Sequence, residues 1–201
     1  MHFTIYDIPM LRPFLKWCSR ALLKLTGWKI DDFRNGEKKL IAIAAPHTSN
    51  WDFPFFISYA FALDFKSYWM GKHTLFKKPF RGFFRFLGGL PIDRTKRANT
   101  VGQIVSHFSN LDELAVTIAP EGTRKAVERW KTGFYYMAVG ANVPIALCFL
   151  DYKKKIGGIG KMLYPTGDID RDLIEIMGFY RDVTPRYPGN FKIQKKSPSS
   201  L

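Results

Sequence analysis

Three short apolar segments constrain the fold of this chain more than any other feature of its sequence. Residues 40–45, 114–119 and 145–150 are mostly aliphatic, and each has the length of a buried strand rather than of a buried helix. Between these segments the apolar residues recur at helical spacing, at residues 52–63, 97–110 and 133–141. Strands that alternate with helices predict a single α/β domain, in which a largely parallel or mixed β-sheet is flanked by helices.

Other segments extend this pattern. A further strand is predicted at residues 66–70, and further helices at residues 10–26, 80–87 and 170–181. The chain shows no internal repeat and no linker before the polar tail at residues 195–201, which we expect to be disordered. A chain of 201 residues suits one domain with a substantial core.

The helix predicted at residues 10–26 is amphipathic and cationic. Its basic residues fall on a stripe separate from the apolar ones, and they are Arg12, Lys16, Arg20 and Lys24. Because these charges interrupt the apolar run, the N-terminal region does not resemble a secretory signal. The longest uncharged stretch, residues 132–150, is broken by Gly140 and Pro144, so we predict no transmembrane helix. The pattern is compatible with two arrangements. The helix lies in the interface of an anionic bilayer, or it packs on the protein core with its basic side outward.

The formal net charge of +14 is concentrated in one part of the chain. Residues 66–97 contain nine Lys or Arg residues and a single acidic residue, Asp93. Such a segment attracts phosphate on nucleic acid, anionic lipid, a nucleotide-bearing cofactor or an acidic carrier protein, and the alternative is a solvated basic surface. The two cysteines and four histidines lack metal-ligand spacing, so we expect neither a metal nor a disulfide framework.

The first candidate for chemistry follows the strand at residues 40–45. His47 and Asp52 would lie on different sides of a continuous helix. They can meet if His47 lies in a loop and Asp52 in the first turn of the next helix, and the S-x-x-D pattern from Ser49 to Asp52 supports a helix start there. A carboxylate beside an imidazole fixes its tautomer, as a general base requires. The alternative is a capping pattern with an incidental histidine.

Two further motifs carry chemistry. Residues 120–124 read P-E-G-T-R directly after the strand at residues 114–119, and α/β proteins bind ligands at the carboxyl ends of strands. There, Gly122 permits a tight turn and Arg124 offers a planar donor to phosphate. Residues 88–94, G-G-L-P-I-D-R, close the basic segment. Taken singly, the first motif is also an ordinary polar turn, and the second is also a helix cap that runs into a strand.

In this order, the motifs resemble those of the glycerolipid acyltransferase family, typified by 1-acylglycerol-3-phosphate acyltransferases. That family shows H-x4-D, a glycine-containing block that ends in Arg, E-G-T-R, and a V-P-I strand. The corresponding segments here are residues 47–52, 88–94, 121–124 and 143–145. A K-x-G often follows E-G-T-R, and Lys131 and Gly133 resemble it. The resemblance implies a glycerol-3-phosphate acyltransferase-like fold, with a membrane-associating helix at residues 1–30 and an acyltransferase domain at residues 31–194.

The resemblance also implies roles for individual residues. His47 would be the general base, and Asp52 would be the carboxylate that orients it. The acyl acceptor would bind at Lys72, Arg94, Glu121, Gly122, Thr123 and Arg124. Within this set, Arg124 would contact the phosphate of a lysophospholipid, with help from Arg94 and Lys72.

The implied reaction moves a fatty acyl group from acyl-CoA or acyl carrier protein to the free hydroxyl of a lysophospholipid. The first expected acceptor is 1-acylglycerol-3-phosphate, which places the reaction in phospholipid biosynthesis. Because a thioester is already activated, neither an enzyme nucleophile nor a cofactor is expected. We expect a peripheral protein on the cytoplasmic side of an anionic membrane.

Two alternatives stand beside this interpretation. One is an acyltransferase whose acceptor is a different lysolipid, such as an amino-acid lipid or a glycolipid. The other is a non-enzymatic nucleic-acid-binding protein that uses the basic and aromatic segment at residues 66–97. The second is weaker, because the chain has no RNA-recognition or helix-turn-helix signature and the remaining motifs would be unexplained. We therefore expect no nucleic acid among the partners.

Overall fold

A mixed β-sheet forms the centre of the protein. The computed structural model describes residues 1–92 and 97–194, without the side chains of residues 97–99. Its seven strands are β1 (Lys29–Asp32), β2 (Lys39–Ala44), β3 (Ser67–Lys72), β4 (Gly89–Ile92), β5 (Leu114–Ile118), β6 (Ile145–Asp151) and β7 (Ile156–Leu163). Their order across the sheet is β1-β7-β6-β2-β5-β3-β4. β6 and β7 are antiparallel, and the other neighbouring strands are parallel.

Helices cover both faces of the sheet. They are α1 (Leu11–Leu25), α2 (Asp52–Ala62), α3 (Arg81–Phe86), α4 (Arg97–Asn110), α5 (Gly133–Ala141) and α6 (Ile169–Tyr180). The central strand β2 shows the division, because its successive side chains point to opposite faces. Leu40 and Ala42 pack with α2, whereas Ile41 and Ile43 pack with α4, α5 and α6. The fold class predicted from the sequence is therefore confirmed.

Two strands, β1 and β7, were not predicted, and β4 was predicted only as the alternative for residues 88–94; each case has a physical reason. β1 is a charged edge strand, and β4 is an edge strand that contains Pro91; an edge position tolerates proline because one side of the strand needs no donor. β7 contains three glycines. Gly158 has a φ of +127°, and a Cβ at this position would lie 2.1 Å from the carbonyl oxygen of Asp31 in β1. Strand β1 therefore approaches so closely that this position requires glycine. Because glycine is uncommon inside strands, the sequence gives little indication of β7.

The N-terminal helix α1 packs on α2, and three of its four basic residues bind the end of α2 and the residue Asp64 that follows it. Arg12 Nε donates to Asp64 Oδ1 at 2.5 Å, and Lys16 Nζ donates to Asp64 Oδ2 at 3.3 Å. Arg20 Nε donates to the carbonyl oxygen of Ala62, at the end of α2. The helix thus packs on the core, as one of the two alternatives has it, and its exposed residues are both apolar and basic, since Arg20 and Lys24 are exposed beside Phe14 and Trp17. No helix among the described residues has the length and apolar character that crossing a membrane requires.

The carboxyl ends of four parallel strands meet at one edge of the sheet. β2 leads into the loop that contains His47, and β5 leads into the loop that contains Glu121 and Arg124. Lys72 is the last residue of β3, and Tyr152 directly follows β6. Residues distant in sequence are brought together at this edge, where α/β sheets form ligand sites. The division into residues 1–30 and 31–194 stays a prediction, and the tail at residues 195–201 lies outside the described residues.

Candidate active site

His47 and Asp52 form a hydrogen-bonded pair at this edge of the sheet. His47 lies in the loop after β2, and Asp52 is the first residue of α2. His47 Nδ1 lies 3.1 Å from Asp52 Oδ2. An ionised carboxylate can only accept hydrogen bonds, so the proton of a neutral imidazole is on Nδ1 and Nε2 is free to accept one. The His47 side chain is 28% exposed, which leaves the ring accessible to a ligand.

The Asp52 carboxylate is buried and held by several donors. Besides His47, Oδ2 accepts hydrogen bonds from the backbone amides of Thr48 and Ser49, each at 2.9 Å. Oδ1 accepts a hydrogen bond of 2.7 Å from the hydroxyl of Tyr152. Burial by itself would raise the pKa of Asp52, but the bonds from His47, Tyr152 and the Ser49 amide lower it below its ordinary value. Asp52 is therefore a stable anion beside the imidazole.

The capping pattern predicted at Ser49 forms only in part. The Ser49 amide donates to Asp52, as a capping box requires, but the Ser49 hydroxyl accepts from the amide of Trp51 at 3.1 Å. The helix thus begins at Asp52, where the sequence placed it. Asp52 consequently has two roles, because the carboxylate that fixes the loop amides is also the partner of His47.

Glu121 lies behind His47 and is buried. Its Oε1 accepts a hydrogen bond of 3.0 Å from the His47 amide. Its Oε2 is buried without a hydrogen-bond partner in the described part of the chain. Burial raises the pKa of Glu121 to about 7, and the hydrogen bond from the His47 amide only partly opposes that effect. The carboxyl group therefore contacts the backbone of His47, and its predicted contact with the acceptor stays a prediction.

The remaining residues of E-G-T-R form the turn after β5. Gly122 has a φ of +64°, and a Cβ there would lie 2.5 Å from Lys131 Nζ. Glycine at this position therefore allows Lys131 to approach the turn closely. The Arg124 guanidinium donates from Nη1 to Oδ1 of Asn50, in the loop that carries His47. The two motifs are thus joined through their side chains.

A cleft of about 1320 Å³ opens beside this pair of loops. Its lining includes His47, Asp52, Gly122, Thr123 and Arg124. Further cations line it as well, namely Lys72 and Lys131. A larger part of the lining is apolar and includes Phe53, Phe56, Leu63, Phe65, Trp69 and Phe84. The other predicted phosphate residue, Arg94, lies outside the described residues.

Two residues of the site had no signal in the sequence. Tyr152 binds Asp52 across a separation of 100 positions, and Asn50 binds Arg124 across 74. Tyr152 lies in no motif, and Asn50 lies at an unspecified position within H-x4-D; only the parallel arrangement of β2, β5 and β6 brings the partners together. The strand order identifies Tyr152 as a candidate site residue, because the residue after β6 lies at the same edge of the sheet as His47.

The arrangement combines three chemical capacities in one cleft. A neutral imidazole with a buried anion at Nδ1 can take a proton at Nε2 and stabilise the resulting charge. The cations Lys72, Arg124 and Lys131 line the same cleft and can attract an anionic group. The apolar walls can accept a hydrocarbon chain. No cluster of three or more metal-ligating residues occurs in the portion of the chain that the structure describes.

Comparisons with known proteins agree with this geometry. A family model described as Acyltransferase matches residues 29–149, which include both the His47–Asp52 segment and E-G-T-R. Among solved structures, the chain is similar to the 1-acyl-sn-glycerophosphate (LPA) acyltransferase PlsC from Thermotoga maritima. The TM-score is 0.60 and the sequence identity 16%, over 86% of this chain and 79% of that chain, so the likeness shows the fold. No match was found among the curated proteins.

Proposed function

Since this chain belongs to the acyltransferase family, we propose that it transfers a fatty acyl group from a thioester to the hydroxyl of a lysophospholipid. The observation that carries this proposal is the His47–Asp52 pair, which lies on a largely apolar cleft together with Arg124. A base, a phosphate-binding cation and a surface for an acyl chain are the three requirements of this reaction.

His47 acts as the general base in the proposed reaction. Its Nε2 takes the proton of the acceptor hydroxyl while that oxygen attacks the thioester carbonyl carbon. The tetrahedral intermediate then collapses, the C–S bond breaks, and the thiolate leaves with a proton from the imidazolium. The products are an ester and a free thiol. Asp52 stabilises the imidazolium in the intermediate, because its carboxylate stays ionised next to Nδ1.

The acceptor we propose carries a phosphate monoester, as 1-acylglycerol-3-phosphate does. Arg124 and Lys72 line the cleft with His47. A guanidinium fork can bind two phosphate oxygens at once, which fixes the orientation of the acceptor as well as its position. The PlsC protein of similar fold is described as an LPA acyltransferase, which supports the same acceptor class. We propose that Arg94 contributes to this site.

The apolar lining of the cleft is proposed to hold the donor's acyl chain. Aromatic side chains form part of this surface, among them Phe53, Trp69 and Phe84, whose rings contact one another. Burying a fatty acyl chain against such walls removes apolar area from water and favours binding. Acyl-CoA and acyl carrier protein present the same acyl thioester, so both are proposed donors. The reaction uses no cofactor in this proposal.

The exposed side of α1 is proposed to contact a membrane. Met10, Phe14, Trp17 and Leu25 follow one another at helical spacing, and their exposed fractions are 88%, 58%, 68% and 86%. Large apolar side chains with this exposure are typical of a helix that lies in a bilayer interface. Arg12 and Lys16 bind Asp64, so the charge that α1 brings to this contact comes from the exposed Arg20 and Lys24. The basic charge elsewhere on the chain favours anionic lipid.

One assay tests the proposed function. The purified protein is incubated with each donor and a panel of lysolipids that includes lysophosphatidic acid, a matched monoacylglycerol and an amino-acid lysolipid. Free thiol and esterified lipid are measured together, and we expect equal amounts of both. His47→Ala is the control that retains the cleft. The acceptor assignment is overturned if the uncharged acceptor matches or exceeds lysophosphatidic acid, and the activity itself is overturned if no donor and acceptor pair yields an ester.

A further inference from the structure

Tyr152 contacts the buried carboxylate of the site from an element that no motif includes. It directly follows β6, and its hydroxyl donates a hydrogen bond of 2.7 Å to Asp52 Oδ1. The other oxygen, Oδ2, accepts from residues 47, 48 and 49, which all belong to one loop. Tyr152 thus fixes Asp52 from the opposite carboxylate oxygen and from a different strand.

The ring of Tyr152 is held in place by its own neighbours. Its centroid lies 5.2 Å from that of Trp28 and 6.0 Å from that of Phe55, both in edge-to-face geometry. The Arg186 guanidinium lies 5.7 Å from the ring centroid. Two aromatic rings from separate elements therefore determine where the hydroxyl points. The donor is pre-organised before any substrate binds.

Partners on both oxygens restrict the orientation of a carboxylate more narrowly than partners on one oxygen do. The terminal torsion of Asp is broad and roughly twofold, so its partners determine the plane of the carboxylate. With Tyr152 on Oδ1 and His47 on Oδ2, that plane is set at both ends. The direction of the Oδ2 acceptor in turn sets the plane of the imidazole, and hence the place from which Nε2 takes a proton.

We propose that Tyr152 is a positioning residue for acyl transfer, which acts on His47 through Asp52. This inference rests on the proposed role of His47 as the base. Burial and the neighbouring Asp52 raise the pKa of Tyr152 well above its ordinary value, so the hydroxyl remains a donor at neutral pH. The charged or titratable groups around the carboxylate are His47, Glu121 at the His47 amide, and Arg186 over the Tyr152 ring.

A double-mutant cycle tests this role. Tyr152→Phe removes the hydroxyl and keeps the ring that packs on Trp28 and Phe55. In the parent enzyme we expect kcat to fall roughly tenfold, the effect of losing a hydrogen bond to a charged group, with KM for both substrates within about twofold. In the Asp52→Ala background, the same change should alter kcat by less than about twofold, because the partner is already absent. Mass spectrometry of the lipid product measures the low turnover of that background.

Tyr135→Phe is the matched control. It removes another hydrogen bond of a tyrosine hydroxyl to a buried aspartate, from Tyr135 to Asp172 at 2.8 Å, in the core below α5 and α6. It should lower the melting temperature at least as much as Tyr152→Phe does, without the loss of kcat. If Tyr152→Phe does not fold, Tyr152→Met serves as the second variant, because its flexible apolar side chain fills the space without a donor.

The outcomes separate this inference from the function on which it rests. If Tyr152→Phe turns over normally while His47→Ala is inactive, Tyr152 has no positioning role and the proposed function stands. The same conclusion follows if kcat falls equally in the parent and Asp52→Ala backgrounds, or equally in the Tyr135→Phe control, since either result indicates a general structural effect. If folded His47→Ala retains normal turnover, the proposed base itself is wrong.

Discussion

Asn50 Oδ1 accepts a hydrogen bond from Nη1 of Arg124, although the two residues are 74 positions apart. Asn50 belongs to the loop that carries His47, and Arg124 belongs to the turn after β5. The guanidinium is therefore oriented by the same loop that positions the imidazole. If the phosphate of an acceptor binds Arg124, this loop also determines where the acceptor hydroxyl lies relative to His47. Holding the reacting groups in this way lowers the entropy cost of bringing them together.

The first prediction concerns the guanidinium. Arg124→Ala should lower kcat/KM for lysophosphatidic acid by roughly 10- to 100-fold, because a charge-assisted bond to phosphate is lost. The KM for the acyl donor should change little. Arg124→Lys should restore only part of the loss, since an ammonium lacks the bidentate geometry. Steady-state kinetics with a matched monoacylglycerol provide the control, and an equal loss with that acceptor would contradict the phosphate role.

The second prediction concerns the residue that orients Arg124. Asn50→Ala should lower kcat/KM for lysophosphatidic acid roughly fivefold, the effect of losing a hydrogen bond between exposed groups. Asn50→Asp should lower it further, because a carboxylate next to the guanidinium competes with the phosphate. Kinetics at two salt concentrations distinguish the two variants, since added salt should relieve only the second effect. If Asn50→Asp is as active as the parent, Arg124 does not bind the acceptor phosphate from this position.

The third prediction concerns the base and its partner. His47→Ala should reduce kcat by roughly 10³-fold, within the range for loss of a general base. Asp52→Asn should reduce it by about 10²-fold or more, because the amide no longer stabilises the imidazolium. Circular dichroism should show that both variants are folded, and the His47 variant should melt within a few degrees of the parent, since the ring is partly exposed. Folded His47→Ala with near-normal turnover would exclude the mechanism.

The parts of the fold that could be predicted are those with a local signal. β2, β5 and β6 are apolar because both faces of a central parallel strand are covered by helices, and their composition reveals them. The edge strands β1 and β4 need no such composition. β7 is obscured by Gly157, Gly158 and Gly160, which accommodate close neighbours on both sides. What makes these segments strands is their contact with other segments, and a sequence window does not contain that information.

The site residues likewise divide into those with a local sequence signal and those whose contacts depend on distant segments. The His47–Asp52 pair is predictable, because both residues belong to one loop and helix start, and the distance between them is fixed locally. Glu121 illustrates the limit: its motif was recognised, but its burial and its bond to the His47 amide depend on the packing of β5 against β2. Tyr152 lies still further from any local signal, since its contact with Asp52 joins segments 100 residues apart.

The fourth prediction concerns the apolar side of α1. Replacing Trp17 and Leu25 with Ser should reduce recovery with vesicles by roughly tenfold or more in flotation, because each buries a large apolar side chain in the proposed contact. The loss should occur with neutral as well as anionic vesicles. Ile174→Ser is the control, since Ile174 is 70% exposed on α6, away from α1. Full recovery of the Trp17 and Leu25 variant would show that α1 does not contact the membrane.

Glu121 makes the stability of the protein depend on pH in a specific direction. Its pKa in the folded protein is about 7, above the ordinary value of 4.5, because burial penalises the charged form. The folded state therefore binds this proton more tightly than the unfolded state does. The contribution of Glu121 to stability is fully present below about pH 4.5 and is lost as the pH rises through about 7, and the total loss amounts to roughly 3 kcal/mol.

The fifth prediction follows from this loss of stability with rising pH. Glu121→Gln resembles the neutral carboxyl and cannot ionise, so the variant should gain stability relative to the parent as the pH rises from 4.5 to about 8. Urea unfolding at several pH values measures the difference, and Glu128→Gln, at a carboxylate with an 83% exposed side chain, controls for the loss of one charge. Because the amide oxygen can still accept from the His47 amide, turnover should persist near neutral pH. A stability difference that is constant over this pH range would show that Glu121 does not carry a proton in the folded state.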